Sequence, residues 1–126
     1  MSQKILVVDD DEEITRVVQI TLEAKGYRVE TARNGQLALQ AVARDMPDVS
    51  VLDVEMPEMD GMTTLRNLKE NEATGAIPVI MLTGKDQVDD IAHGWENGAD
   101  FYWTKPFSAI QLAVLIKRIL DERGGN

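Results

Sequence analysis

Four short runs of apolar residues in this sequence each lead into polar side chains that can do chemistry. Ile5-Leu6-Val7-Val8 runs into Asp9-Asp10-Asp11, and Val49-Ser50-Val51-Leu52 into Asp53. Val79-Ile80-Met81-Leu82 is followed by Thr83-Gly84, and Phe101-Tyr102-Trp103 by Thr104-Lys105-Pro106. Brought together, two or three carboxylates repel one another, and their charged forms survive only beside a cation or strong donors. Lys105 supplies one positive charge and leaves negative charge in surplus. A hard divalent ion with oxygen ligands would balance it, and Mg²⁺ suits one or two carboxylates plus water. Such an ion also neutralises a phosphoryl group in transfer. A carboxylate can itself attack phosphorus, while a hydroxyl and an ammonium hold the phosphoryl oxygens. Gly84, beside the hydroxyl, leaves room for that group to approach the backbone.

Each residue also has a plainer reading. Asp9 to Glu13 is a run of acids where a helix should start, and acids there favour the helix dipole while one of them caps. Taken alone, capping is the better account of that run, but it does not explain Asp53 and Lys105 at other strand ends. Thr83 could be an N-cap for a helix beginning near Asp86, and Lys105 a solvated lysine. Asp60-Gly61 reads as a turn. His93, the only histidine, sits among polar residues and reads as surface. Trp103 reads as packing. The six methionines are scattered and form no metal-binding box.

The elements that must position these residues alternate. The first apolar run is short and largely β-branched, as in a strand covered on both faces. Ile14, Val17, Val18, Thr21 and Leu22 then recur at helical spacing up to Gly26, a C-cap candidate. Tyr27 to Ala32 is a second strand, Asn34-Gly35 a turn, and a second helix through Leu37, Leu39, Ala41 and Val42 stops before Pro47. Strand three is followed by a loop with Pro57, Asp60 and Gly61, then a helix through Leu65 and Leu68 to about Ala73. Strand four spans Pro78 to Leu82. A helix holding Val88, Ile91, Ala92 and Trp95 closes at Gly98. The last helix starts near Ser108, a natural N-cap, and carries Leu112, Leu115, Ile116 and Ile119 on one face. Val114 falls beside that stripe and reads either as a partner face or as the margin of a broad buried one.

Five strands alternating with five helices imply an α/β fold: a doubly wound parallel sheet with helices on both faces. Ligands in such sheets bind beyond the carboxyl ends of the strands, where the strand order switches. The candidate residues all stand at those ends.

Composition narrows the function classes. A chain of 126 residues suits one domain, expected over 1–126 with a core from about 4 to 120 and a frayed tail at 123–126. With 22 acidic and 13 basic residues the formal net charge is −9, which disfavours nucleic acid and anionic membrane as direct partners. Cysteine is absent, so disulfides and thiolate chemistry are excluded. No signal peptide or membrane-spanning run is evident, and a cytoplasmic location is the expectation.

These residues resemble the receiver domain of bacterial two-component response regulators. The resemblance rests on Val8-Asp9-Asp10, on Leu52-Asp53-Val54-Glu55-Met56-Pro57-Glu58-Met59-Asp60-Gly61, on Met81-Leu82-Thr83-Gly84, on Asn97-Gly98-Ala99-Asp100 and on Thr104-Lys105-Pro106-Phe107. Each string alone is weak; together and in order they cover the chain from Lys4 to about Leu120. The resemblance implies a flavodoxin-like sheet of order 2-1-3-4-5. It implies that Asp53 accepts a phosphoryl group from a histidine kinase or phosphotransfer protein. Asp10 is then a direct Mg²⁺ ligand, Asp9 acts largely through water, and Asp53 and the Glu55 carbonyl complete the protein's share. Lys105 pairs with Asp53 or its phosphoryl group, and Lys105-Pro106 is expected to be cis. Thr83 swings to the phosphoryl group and Tyr102 follows inward. Glu55 and Lys85 tune phosphoryl lifetime. The switched surface is the last helix, strand five and the helix before it, through which a downstream protein or a second copy binds. The third aspartate, Asp11, leaves open a slip of one residue in the metal assignment.

Other readings have specific tests. An aspartate-nucleophile phosphohydrolase of the haloacid dehalogenase type shares Asp9-x-Asp11, but Glu13 stands where that family has Thr or Val, and steady turnover of a generic phosphoester would reveal it. A flavodoxin-like FMN carrier needs a Ser/Thr/Gly-rich loop where this chain has acids. A degenerate receiver would act only by binding a partner, whereas here the acceptor, hydroxyl and lysine are all present.

Overall fold

Apolar residues, many of them β-branched, dominate the strands and amphipathic stretches the helices, and the computed structural model sorts them into alternate layers. It describes residues 3–54, 60–84, 98–105 and 107–124. The strands are β1 (Lys4–Val8), β2 (Arg28–Ala32), β3 (Val49–Asp53), β4 (Val79–Thr83) and β5 (Phe101–Thr104). They pair in parallel in the order β2-β1-β3-β4-β5. Four helices lie among the described residues: α1 (Glu12–Ala24), α2 (Gly35–Arg44), α3 (Gly61–Glu70) and α4 (Ala109–Gly124). The helix expected around Val88 to Trp95 lies outside the described residues.

Side chains alternate across the sheet and build two cores. Leu6, Val8, Leu52, Val79 and Met81 pack with Ala38, Ala41 and Val42 of α2 and Leu65 and Leu68 of α3. Ile5, Val7, Val49, Val51, Ile80 and Leu82 pack with Val18 and Leu22 of α1 and Leu112, Ile116 and Ile119 of α4. Each fully buried Leu, Ile or Val contributes roughly 1.5–3 kcal/mol of transfer free energy, so the central strands hold a stiff frame. Ser50 is the exception within it: its hydroxyl is buried without a hydrogen-bond partner.

Caps set the helix limits. Asp11 accepts the Glu13 and Ile14 amides, Asn34 the Leu37 amide, and Asp60 the Thr63 amide. Gly26, at φ 97°, turns the chain out of α1, a conformation glycine adopts without steric cost. One end differs from the sequence reading. The third helix stops at Glu70 rather than near Ala73, because the Asn71 side chain accepts the Ala73 amide at 2.9 Å and its carbonyl takes the Thr74 and Gly75 amides, a local turn that competes with the helix. The last helix runs on to Gly124, with the Arg123 guanidinium donating to the Ala76 carbonyl at 2.9 Å.

Charged residues tie the opposite rim of the sheet. Lys4 is buried, its ammonium 2.6 Å from Glu30 and 3.2 Å from Asp45, while Arg44 also pairs with Glu30. Lys69 of α3 donates to the carbonyls of Gly75 and Ile77 and to Asp100, and Asp100 in turn accepts the Val79 amide.

Candidate functional site

The register brings the carboxylates together. Val8 is paired with Leu52, so Asp9 and Asp53 leave neighbouring strands at the same level, at the switch in strand order between β1 and β3. Asp53 pairs with Leu82, and Thr83 with Thr104, which places Thr83 and then Lys105 along the same rim. The Lys105 amide donates to the Thr83 carbonyl at 2.7 Å and fixes the root of the lysine against β4.

Its side chain reaches back over both acids. Lys105 Nζ lies 3.1 Å from Asp9 Oδ2 and 3.2 Å from Asp53 Oδ1, donating a hydrogen bond to the latter. Asp9 and Asp53 are only 2% and 5% exposed. Burial first, and then the Asp9 carboxylate, push the Asp53 carboxyl from 3.8 up to about 7 against the pull of Lys105. Burial alone would lower the Lys105 ammonium, but the two carboxylates outweigh it and hold its pKa above the ordinary lysine value.

The residues fit a divalent cation. Asp9, Asp10 and Asp53 each offer a carboxylate oxygen, and these oxygens lie within 4.8 Å of one another. Asp9 Oδ1 accepts the Asp11 amide at 2.9 Å. Asp9 Oδ2 is buried and, although it lies close to Lys105, receives no hydrogen bond. Its charge is met only by the ammonium that Asp9 shares with Asp53, and three carboxylates against one ammonium leave the surplus charge that a hard cation would offset. Asp11 does not join this cluster, because its side chain is spent on the α1 cap. The geometry therefore favours Asp9 and Asp10 over a register shifted by one.

Thr83 is fully buried, and its hydroxyl donates to the Gly84 carbonyl at 3.2 Å. Tyr102 is half-buried against the core beneath α2 and α3. Glu55, Lys85 and Pro106 lie outside the described residues. Trp103 packs against the α1–α4 core, as its reading as a packing residue expects. Val114 is exposed, as is Ile110 one turn before it. Gly61, read from the sequence as part of a turn and as the end of the string that begins at Leu52, lies directly against the backbone of Asp53. Neither reading gave that contact, which exists only once α3 packs under β3.

Comparison with known proteins agrees with this geometry. The family model described as response regulator receiver domain matches residues 5–117. The chain is 43% identical over 120 residues to the alkaline phosphatase synthesis transcriptional regulatory protein PhoP of Bacillus subtilis, covering 95% of this chain and 49% of that protein. The chain spans about half the length, or less, of the curated relatives it matches. Among solved structures, a CheY-like response regulator receiver domain protein from Methanospirillum hungatei superposes with a TM-score of 0.91 at 29% identity, covering 98% of both chains. The chemotaxis response regulator CheY4 of Vibrio cholerae gives 0.88 at 32% identity, covering 95% of this chain and 100% of that one.

Proposed function

The chain belongs to the response regulator receiver domain family, and from that premise we propose that it is a phosphorylation-controlled switch with Asp53 as the phospho-acceptor. Receiver domains partner with histidine kinases and act as signalling switches rather than turnover enzymes. The observation that carries the reading is Lys105, whose ammonium bridges the buried carboxylates of Asp9 and Asp53 at the end of the central strands. An Asp53 oxygen attacks the phosphorus of a phosphohistidine, the P–N bond breaks, and its electron pair stays with the leaving imidazole. Water later attacks the acyl phosphate, releasing inorganic phosphate and restoring the carboxylate.

Attack requires ionised Asp53, so the burial and the Asp9 repulsion that favour its neutral form must be offset. Asp9, Asp10 and Asp53 would hold Mg²⁺, with the Glu55 carbonyl as a further ligand, and the bound ion supplies charge neutralisation for carboxylate and phosphoryl oxygens. Lys105 places a second positive charge where phosphoryl oxygens arrive. Phosphorylation adds about −1 of charge and new strong acceptors at Asp53. Thr83 is a buried hydroxyl at the end of β4, one residue beyond the partner of Asp53, and its turn toward those acceptors, followed by Tyr102, is the switch. The readout surface is then β5, α4 and the stretch preceding β5, where exposed Ile110 and Val114 on α4 offer apolar contact for a downstream protein or a second copy. Glu55 and Lys85 tune the lifetime of the phosphoryl group.

We take the chain as one receiver unit over 1–126, cytoplasmic, with no direct role for nucleic acid or membrane. No helix among the described residues is long and apolar enough to cross a membrane. Incubation with acetyl phosphate and Mg²⁺ tests the proposal by intact mass. One added phosphoryl group in the wild type and none in Asp53→Ala is the expected result. Equal labelling of both proteins would remove Asp53 from its role.

A further inference from the structure

We propose that Gly61 is a positioning residue for phosphoryl transfer, because only a residue without a side chain lets α3 begin directly against the backbone of the phospho-acceptor. The inference rests on Asp53 being that acceptor. A Cβ built on Gly61 would stand 2.1 Å from the Asp53 carbonyl oxygen, 2.8 Å from Val54 Cα and 2.9 Å from the Asp53 carbonyl carbon. All three are backbone atoms, so no side-chain rotation relieves the clash. Cβ atoms essentially never come within 3.0 Å of another heavy atom, so an alanine here needs about 0.9 Å of backbone displacement in a close-packed interior.

That displacement has few places to go. Gly61 is buried at the first position of α3. Its amide donates to the Val54 carbonyl at 3.0 Å, and the Val54 amide donates to the Leu82 carbonyl at 2.9 Å. Asp60 anchors the helix end by accepting the Thr63 amide at 2.8 Å. The residue after the acceptor is thus held from the α3 side and from the β4 side, and Asp53 is the last residue of β3. Pushing α3 away breaks the Gly61–Val54 bond; keeping it drives the Asp53 backbone aside. The second course moves the carboxylate relative to Asp9 and Lys105, which stand on other strand ends. A misplacement on the order of 1 Å costs a transfer reaction roughly 100-fold in rate.

The test uses the full chain as wild type, Gly61→Ala and Gly75→Ala. Gly75 is the control, since a Cβ there would meet the Lys69 and Asn71 carbonyl oxygens at 3.1 and 3.3 Å, a tight approach in the α3–β4 connection. Each protein is checked for folding by circular dichroism. Phosphoryl uptake from acetyl phosphate is then followed by intact mass across a Mg²⁺ titration. The expected result is a split: the rate of Gly61→Ala at saturating Mg²⁺ falls about 100-fold, whereas its half-saturating Mg²⁺ rises by a smaller factor than the rate falls, because of the three carboxylates only Asp53 is displaced while Asp9 and Asp10 follow a strand that Gly61 does not touch. Gly75→Ala keeps its rate within about 2-fold even where its stability drops. A folded Gly61→Ala with the wild-type rate overturns the inference. So does a variant that stays unfolded in about 1 M trimethylamine N-oxide, where compact states are favoured, since the glycine would then serve folding as a whole. If wild type and control take no phosphoryl group either, it is the function of Asp53 that fails.

Discussion

Replacing Asp53 by asparagine should make the metal-free protein more stable, and the gain should depend on pH. The two side chains have nearly the same shape, so the change is chiefly the removal of one charge from a buried pair. A carboxyl held at about 7 instead of 3.8 favours its neutral form by about 4 kcal/mol, at 1.36 kcal/mol per pH unit. The amide brings its own N–H donors toward the Lys105 ammonium, which takes back part of this gain, and exposed Asp10 shows that the rim of the site is open to water. About 2 kcal/mol is the working expectation, or roughly 8 °C in Tm for a domain of this size. The sign follows from linkage. Between about pH 4 and 7 folded Asp53 holds its proton while the unfolded chain releases it, so wild-type stability falls as pH rises through that window. Asp53→Asn lacks that slope, and the gap between the proteins should be small near pH 4 and full near pH 8. Urea unfolding in EDTA at several pH values measures it. Mg²⁺ should then stabilise the wild type and affect the variant far less. An asparagine variant no more stable than wild type near pH 8, or a gap that does not change with pH, would refute the electrostatic account of the site.

Further outcomes follow from other groups. Lys105→Met leaves the Asp9 and Asp53 carboxylates without their cation, so metal-free stability should drop by about 2 kcal/mol while Mg²⁺ binds more tightly and phosphoryl uptake slows, all measurable by denaturation and titration. Ser50→Ala removes a buried hydroxyl that has no partner and should be neutral or stabilising by up to about 1 kcal/mol in chemical denaturation; a loss above that size would mean the hydroxyl is bonded after all. Lys69→Met strips donors from two carbonyls and Asp100 and should cost about 2–3 kcal/mol, with phosphoryl uptake by the folded variant unchanged.

Much of this site can be read before folding, because its residues follow directly on the runs that become strands. Apolar β-branched runs locate the strand ends, and parallel pairing carries Asp9, Asp53, Thr83 and Lys105 to one rim. The choice among Asp9, Asp10 and Asp11 is different, since capping and metal binding draw on the same residue type. It becomes legible only when Asp11 is seen bonded to the Glu13 and Ile14 amides. The end of α3 is hidden by Asn71, whose side chain forms a turn that hydrophobic periodicity does not register. Lys4 is a charged residue at the edge of the first apolar run, and the sequence does not show that it is buried because Glu30 and Asp45 arrive from β2 and the end of α2. The contact of Gly61 with Asp53 is likewise a property of packing, without a local signature in the chain.

The central claim is that a single carboxylate, Asp53, carries the phosphoryl group and needs a divalent cation to do so. Borohydride reduces an acyl phosphate to an alcohol, so treatment after incubation with acetyl phosphate, followed by peptide mass mapping, marks the acceptor as homoserine. The account predicts homoserine at position 53 alone, and none when EDTA replaces Mg²⁺. Homoserine at position 9, 10 or 11, or undiminished labelling in EDTA, would contradict it.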